Sequence, residues 1–401
     1  MRVKAGVFAP LRVRNYRWLW IGQFVSVIGD KINQIAMAMM VYVVTGSMFQ
    51  MGIMLGVTLL PAALFGLLAG VYVDRWDRRF TMIGSDLIRA ALVLLIPFVA
   101  RFGIGWVYLL AFVVSTVSLF FIPAKRAIIP DLVPADELMA ANSLDNASEA
   151  VAELAGLAVG AALVALLGHV VAFGVDAATF VFSAITIALI SKPRVVTAVH
   201  SVTGSVWTEA AEGLRYIWKS DVLRDLIGVY VFAAGFGAAS IALCYALALR
   251  RYNAGAPGIA LLDAAVTVGI LVGALAVGRS GTGKAGVKFL IGIAGFGLSL
   301  IAVAFAPTIW IAAPLLALGG VANMWYFIPA TTIFQTRAVD SVRGRVMSAS
   351  TTINRITMVL GVIAVGALAD SVSLSWLAGG VGLAAVFVAF AGWLQVPLRE
   401  A

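Results

Sequence analysis

The stretch Ile21-Gly-Gln-Phe-Val-Ser-Val-Ile-Gly-Asp-Lys-Ile-Asn-Gln-Ile-Ala-Met37 sets polar and charged side chains inside an apolar run. Five of its side chains recur at spacings of 3, 4, 3 and 4, at Gln23, Ser26, Asp30, Asn33 and Met37. This spacing predicts one face of an α-helix. Asp30 lies 12 residues into a span that begins near Trp18. At about 1.5 Å per residue, that is about 18 Å deep in a hydrocarbon layer about 30 Å thick.

A carboxylate at that depth is costly unless it faces protein or a water-filled cavity, so Asp30 is a candidate functional residue. Lys31, Asn33 and Gln34 are further candidates on the same helix. A simpler interpretation is a structural carboxylate that Lys31 neutralises. Because adjacent helix residues point about 100° apart, we expect the two charges to have different partners.

The composition places the chain in a membrane. Of its 401 residues, 62% are hydrophobic and 12% charged, and the mean hydropathy is +1.03, whereas a soluble protein is about 45–50% apolar and about 25% charged. A single cysteine, Cys244, excludes an intramolecular disulfide, and there are only two histidines. We therefore expect no cofactor and no metal site of the cysteine type. The apolar run after the basic N-terminus is too long for a signal peptide.

Twelve apolar segments are long enough to span a bilayer as helices, which predicts an all-α membrane protein with twelve transmembrane helices. They lie near residues 18–44, 50–73, 80–100, 104–123, 141–167, 170–191, 223–248, 257–278, 286–306, 308–333, 344–369 and 372–396.

Lysine and arginine predict the orientation. With a cytoplasmic N-terminus, 22 of the 28 basic residues fall in cytoplasmic segments and 3 in outer ones. This bias predicts a multi-pass protein of the cell membrane with both termini cytoplasmic. The net charge of +9 is then topological, and we expect no nucleic-acid partner.

The longest polar stretch divides the chain into halves. We predict an N-terminal six-helix bundle over 1–191, a cytoplasmic linker over 192–222 and a C-terminal six-helix bundle over 223–401. Within the linker, Val206 to Trp218 separates charged from apolar side chains, which predicts an amphipathic helix on the cytoplasmic face.

The halves carry an internal repeat. Phe121-Ile-Pro-Ala124 recurs as Phe327-Ile-Pro-Ala330, and Ala158-Val-Gly-Ala161 recurs as Ala364-Val-Gly-Ala367, both after 206 residues. Duplicated six-helix halves with a binding site between them are typical of secondary transporters. Small-x3-small glycine pairs, such as Gly52/Gly56, Gly156/Gly160 and Gly269/Gly273, predict close helix packing.

The loop after the second span contains Gly70-x3-Asp74-Arg75-x2-Arg78-Arg79. This motif resembles the signature loop of the major facilitator superfamily, and the twelve spans resemble its layout. Gly29-Asp30, Ser85-Asp-Leu-Ile-Arg89, Ala141-Asn-Ser143 and Arg343-Gly-Arg345 resemble the branch of macrolide-efflux and siderophore-exporting permeases.

This resemblance implies two pseudo-symmetric six-helix bundles and a gating loop formed by Gly70, Asp74, Arg75, Arg78 and Arg79. Asp74 would accept hydrogen bonds from the N-terminus of the eleventh helix and hold the cytoplasmic side shut. The alternative is that the arginines only obey the positive-inside rule.

Further charges lie within the spans, including Asp176 and Asp263. We predict a polar cluster around the central cavity, formed by Asp30, Lys31, Glu149, Glu153 and Arg355, in which one carboxylate carries a proton. A static pairing network is the alternative. Asn323, Trp325 and Tyr326 are candidates to contact an amphipathic substrate.

Three enzyme motifs are incomplete or missing from the sequence. Gly278 to Ala285 resembles a phosphate-binding loop but has alanine at the magnesium-binding position, and no HExxH or GxSxG motif is present. The sequence therefore favours a monomeric secondary transporter in the lipid bilayer. We expect it to export small amphipathic organic molecules, of the drug or siderophore class, by alternating access and proton antiport. A metal-ion or metabolite permease with Asp30 as ligand is the alternative within transport, and a membrane enzyme or sensor is the alternative outside it.

Overall fold

The computed structural model describes residues 8–73, 76–191, 206–281, 283–339 and 342–399, and this part of the chain is helical without strands. Its helices are α1 (Arg14–Thr45), α2 (Met48–Val73), α3 (Arg78–Val99), α4 (Ile104–Leu132), α5 (Leu138–Ala188), α6 (Val206–Lys219), α7 (Asp221–Ala246), α8 (Gly255–Arg279), α9 (Ala285–Ala304), α10 (Ile309–Arg337), α11 (Arg343–Ala369), α12 (Leu374–Trp393) and α13 (Val396–Arg399). Short 3-10 turns lie at Ala9–Arg12 and Ala100–Phe102, and a π-helical turn at Leu247–Arg251 follows α7.

Eleven helices of the described residues are long and apolar enough to cross a membrane. One of them, α5, has 51 residues and is broken at Gly168, where φ is 81° and ψ 166°. Glycine tolerates this positive φ because it has no Cβ. A straight helix of 51 residues would be about 76 Å long, more than twice the hydrocarbon thickness of about 30 Å. The helix α5 therefore supplies two spans, and the prediction of a twelve-span all-α membrane protein is confirmed.

The chain forms two compact units. The first comprises the described parts of Met1–Met40 and Leu64–Thr203, and the second those of Val41–Ala63 and Gly204–Ala401. The second unit therefore includes the end of α1 and the first part of α2. The boundaries of the two predicted six-helix bundles stay a prediction.

The internal repeat is visible in how helices pair within each unit. In the first unit α3 packs against α4 and α5, and in the second α9 packs against α10 and α12. The 206-residue offset maps α3, α4 and 169–188 onto α9, α10 and α12. The glycine contacts follow the same rule, because Gly156 packs on Ile28 of α1 and Gly361 packs on Gly235 of α7.

The linker contains a helix, α6, at the residues predicted for the amphipathic helix; its place on the cytoplasmic face stays a prediction. It packs against α11 and α7. Glu212 pairs with Arg345 at 2.5 Å, and Gly213 is pressed onto the backbone of Arg345. Ile217 is buried, whereas Trp218 is 60% exposed. The helix therefore docks through one side on the first turn of α11.

Candidate functional site

Glycines on α1 bring this helix against the part of α5 that follows Gly168, called here its second stretch. A Cβ added at Gly22 would lie 2.0 Å from Oγ1 of Thr186. A Cβ added at Gly29 would lie 2.0 Å from Oγ1 of Thr179 and 2.6 Å from Oδ1 of Asp176. A side chain at either position would displace these groups, so the glycines let α1 pack closely on polar side chains of α5.

The side chain of Asp30 is exposed although it lies near the middle of α1. A charged group at this depth does not face lipid without a large cost in free energy. We therefore expect Asp30 to face water or protein rather than lipid. The charges of Arg89, Lys31, Glu149 and Glu153 act on it, so the first unit brings together four of the five residues of the predicted cluster.

Ion pairs join the part of α5 before Gly168, its first stretch, to the neighbouring helices α1 and α4. Lys31 of α1 pairs with Glu153 at 3.1 Å. Lys125 of α4 pairs with Asp145 at 2.9 Å and lies 3.9 Å from Glu149. The three carboxylates follow each other every four residues and share one face of α5. Lys31 thus pairs with α5 and not with Asp30. This agrees with the expectation that adjacent helix residues have different partners.

A second group of charges lies deeper in the same unit. Asp86 and Arg89 of α3 pair with each other, and both are buried, as is Asp176 of the second stretch of α5. The guanidinium of Arg89 lies between two rings, 4.8 Å from the centroid of Phe121 and 4.2 Å from that of Phe180. Such stacking stabilises a desolvated cation.

Polar side chains connect this buried group to α1. Gln23 donates to Ser183 at 3.0 Å, and Ser183 in turn bonds to Asp86. On the other side, Thr179 and Asn33 bond to Asp176. The predicted site residue Asn33 is therefore a partner of Asp176, while Gln34 is half-buried on α1.

In the second unit, the predicted aromatic residues take part in packing. Tyr326 is 3% exposed; it accepts a hydrogen bond from Asn323 at 2.7 Å and donates to the carbonyl of Ala233 at 3.5 Å. Trp325 is half-buried in α10. Their contact with a substrate stays a prediction.

Arg355 lies half-buried near the middle of α11. Its neighbour Asn354 donates to the hydroxyl of Tyr230 at 2.6 Å, and the charge of Arg355 acts on that hydroxyl. Within the described ranges, no carboxylate forms an ion pair with Arg355. Its membership of the predicted cluster stays a prediction.

Comparison with known proteins gives the family. A family model described as transmembrane secretion effector matches residues 5–401. The chain belongs to this family of major facilitator transporters. It is 26% identical over 363 residues to macrolide efflux protein A of Streptococcus pyogenes, covering 89% of this chain and 90% of that protein. It is 29% identical over 370 residues to the multidrug efflux pump Tap of Mycobacterium tuberculosis (strain ATCC 25618 / H37Rv), covering 86% and 85%.

Solved structures of major facilitator transporters share the fold. The nucleoside transporter NupG has a TM-score of 0.76 at 12% identity, over 95% of this chain and 98% of that one. A bacterial homologue of the iron transporter ferroportin, in an inward-facing state, has a TM-score of 0.71 at 15% identity, over 95% and 98%. The predicted fold and the resemblance to efflux permeases are confirmed.

The gating loop of the transporter is only partly described. Asp74 and Arg75 lie outside the described residues, and Gly70 lies in the last turns of α2. Arg78 pairs with Asp131 at 2.6 Å, and Arg79 donates to the last carbonyls of α5, at Ile187 and Ala188. These two arginines therefore bind the ends of α4 and α5, where cations are favoured by the helix dipole. The gate itself stays a prediction.

A group of hydrogen bonds and an ion pair that the sequence did not indicate lies in the second unit, where α11 ends and α2 begins. Asp370 accepts hydrogen bonds from the hydroxyl of Ser47 at 2.6 Å and from the backbone amides of Met48 and Phe49 at 2.9 and 3.0 Å. Arg250 pairs with Asp370 at 2.8 Å and donates to the carbonyl of Gly46 at 2.8 Å. A carboxylate at a helix N-terminus stabilises that helix.

Sequence reasoning missed the buried group Asp86, Arg89 and Asp176 as part of the site. The available signal was the spacing of Asp86 and Arg89, since opposite charges three residues apart on an apolar helix face each other. Asp176 was recognised only as an intramembrane charge. No signal in the sequence connected Asp370 to α2.

Proposed function

We propose that this transporter exports small amphipathic organic molecules, of the drug or siderophore class, by alternating access with protons moving the opposite way. The observation that carries the proposal is Asp30, an exposed carboxylate in the middle of a membrane helix that sits beside Glu149 and Glu153. Neighbouring carboxylates repel each other when both are ionised, which favours proton uptake by one of them.

The relatives support the export of drugs. The two described above are named for macrolide efflux and multidrug efflux. The charged side chains around Asp30 add a chemical reason. Lys31, Glu149 and Glu153 would offer polar contacts to a substrate whose remaining surface is apolar.

Transport in proteoliposomes tests the proposal. The compounds offered are a macrolide, a cationic dye and an iron chelator. An imposed pH gradient is expected to drive the transport of at least one of them, and Asp30→Asn is expected to abolish the gradient-driven part. Glu149→Gln and Glu153→Gln are compared with Asp136→Asn, which removes an exposed carboxylate in the turn before α5. Movement of no compound, or full gradient dependence in all three cavity variants, would contradict the proposal.

The protein is proposed to be a monomer in the cell membrane and not an enzyme. The proposed orientation has both termini in the cytoplasm. Its support is the distribution of 22 cytoplasmic against 3 outer basic residues. A cysteine introduced near each terminus is expected to react with an impermeant maleimide only in permeabilised cells. Labelling in intact cells would overturn this orientation.

A further inference from the structure

The buried charges of the first unit do not balance. Among its described residues, Asp86, Asp176 and the nearby Asp30 supply three carboxylates, and Arg89 is the cation that lies with them. Lys31, the next cation, pairs with Glu153. Because burying an unpaired charge costs several kcal/mol, a buried carboxylate without a cation takes up a proton instead.

The charge of the donors distinguishes the two buried carboxylates. Asp86 bonds to the cation Arg89 and to Ser183, although its Oδ2 atom has no hydrogen-bond partner among the described residues. Asp176 bonds to the neutral side chains of Thr179 and Asn33. Its Oδ2 atom and Oδ1 of Asn33 are both buried acceptors without a hydrogen-bond partner among the described residues. A proton on Oδ2 of Asp176 turns this unsatisfied acceptor into a donor.

The position of Asp176 gives it access to the water-facing carboxylate. Its Oδ1 lies 2.6 Å from the place that a Cβ on residue 29 would take, next to Asp30, and the charges of Asp30 and Asp176 act on each other. Asp176 thus lies one residue behind the exposed Asp30, sealed from water.

We propose that Asp176 is an occluded proton-binding residue of the transport cycle, with Asp30 as the water-facing carboxyl that exchanges the proton with it. In this exchange the O–H bond of Asp30 breaks as that of Asp176 forms. The reverse step returns the proton to Asp30, which releases it to water. The fixed Asp86–Arg89 pair keeps a positive charge beside the site. This inference rests on the proton antiport of the proposed function.

The charged groups near this site lie on four helices of the first unit. They are Asp30 and Lys31 on α1, Asp86 and Arg89 on α3, Lys125 on α4, and Asp145, Glu149 and Glu153 on the first stretch of α5. Of these, Asp86, Lys31 and Lys125 have oppositely charged partners within 4 Å. Asp30 and Asp176 therefore remain as the pair that shares a proton.

The test compares two kinds of transport in proteoliposomes. Asp176→Asn is expected to lose pH-gradient-driven transport at least about tenfold while keeping substrate exchange without a gradient, because asparagine has no carboxyl group to bind the proton. Asp263→Asn, which neutralises a half-buried carboxylate of α8 in the second unit, is the matched control. Equal gradient dependence in Asp176→Asn and wild type, or equal loss in both variants, would overturn the inference. Absence of gradient-driven transport in the wild type would instead contradict the proton antiport itself.

Infrared difference spectroscopy of the purified protein gives a readout that needs no transport. The wild type and Asp263→Asn are expected to show a titrating carboxylic-acid carbonyl band that Asp176→Asn lacks. If Asp176→Asn does not fold, Asn33→Leu keeps the carboxyl and removes its amide partner, and the midpoint of the band is expected to move by about one pH unit. An unmoved band would overturn the inference.

Discussion

Asp370 and Arg250 form an ion pair of 2.8 Å at the end of α11, and the same carboxylate caps the first turn of α2. The two residues lie far apart in sequence, and α2 is the helix they secure. Charge-assisted hydrogen bonds of this kind are stronger than neutral ones. The contact therefore fixes where α2 begins relative to α11.

Replacing Asp370 by asparagine is expected to loosen the first turn of α2. The loss of a charged cap costs about 1 kcal/mol, which corresponds to about fivefold faster amide hydrogen exchange at Met48 and Phe49. Ser371→Ala is the control, because the hydroxyl of Ser371 bonds within its own turn, to Leu368. Unchanged exchange in Asp370→Asn would contradict the capping role.

The same contact has a predictable pH dependence. Burial alone would raise the pKa of Asp370, but the hydrogen bonds from Ser47, Phe49 and Met48 and the charge of Arg250 outweigh it, so the pKa is lowered. A carboxyl with a lowered folded-state pKa stabilises the fold above its unfolded value of about 3.9 and loses that contribution as the pH falls through the folded value. After correction for intrinsic rates, protection of the first turn of α2 is expected to be constant near neutral pH and to fall below about pH 4. In Asp370→Asn this fall should be absent; its persistence would assign it to another group.

Close packing of α2 on α11 predicts a position-specific effect of adding one methyl group. A Cβ at Gly52 would lie 2.8 Å from the carbonyl oxygen of Val362 and 3.0 Å from Cα of Gly366. Because backbone atoms cannot move aside, Gly52→Ala is expected to destabilise the protein by about 1–3 kcal/mol. Gly66→Ala, on the same helix but with nothing within 4 Å, is expected to be neutral or stabilising by up to about 1 kcal/mol. Thermal unfolding in detergent measures both, and equal effects would refute the packing argument.

The linker helix α6 should separate from α11 when Gly213 gains a side chain. Its Cβ would lie 2.2 Å from the carbonyl oxygen of Arg345. Gly213→Val is therefore expected to unfold α6 locally, so that trypsin cleaves after the already exposed Lys219 about tenfold faster for a loss of about 1.4 kcal/mol. Gly344→Val carries the same change next to Arg345, at a position with nothing within 4 Å. Similar cleavage of both variants would argue that α6 is not held by this contact.

The membrane class, the twelve spans and the repeat could all be predicted from the sequence, because each depends on local composition. Length and hydropathy define a span without reference to any neighbour. The break at Gly168 falls between the predicted segments 141–167 and 170–191, so segment length identified the boundary between the two spans of α5. The amphipathic helix of the linker followed from its 3.6-residue period in the same way.

Which charges meet could be read only from the folded chain. Whether Lys31 pairs with Asp30 or with Glu153 depends on the rotation and depth of α1 against α5, and the glycines that allow this contact determine both. The pairing of Arg89 and the isolation of Asp176 depend in the same way on three helices that are distant in sequence. A hydrophobic pattern gives each helix an inner and an outer face, but it does not fix its register against a neighbour, and ion pairs require that register to within a few ångströms.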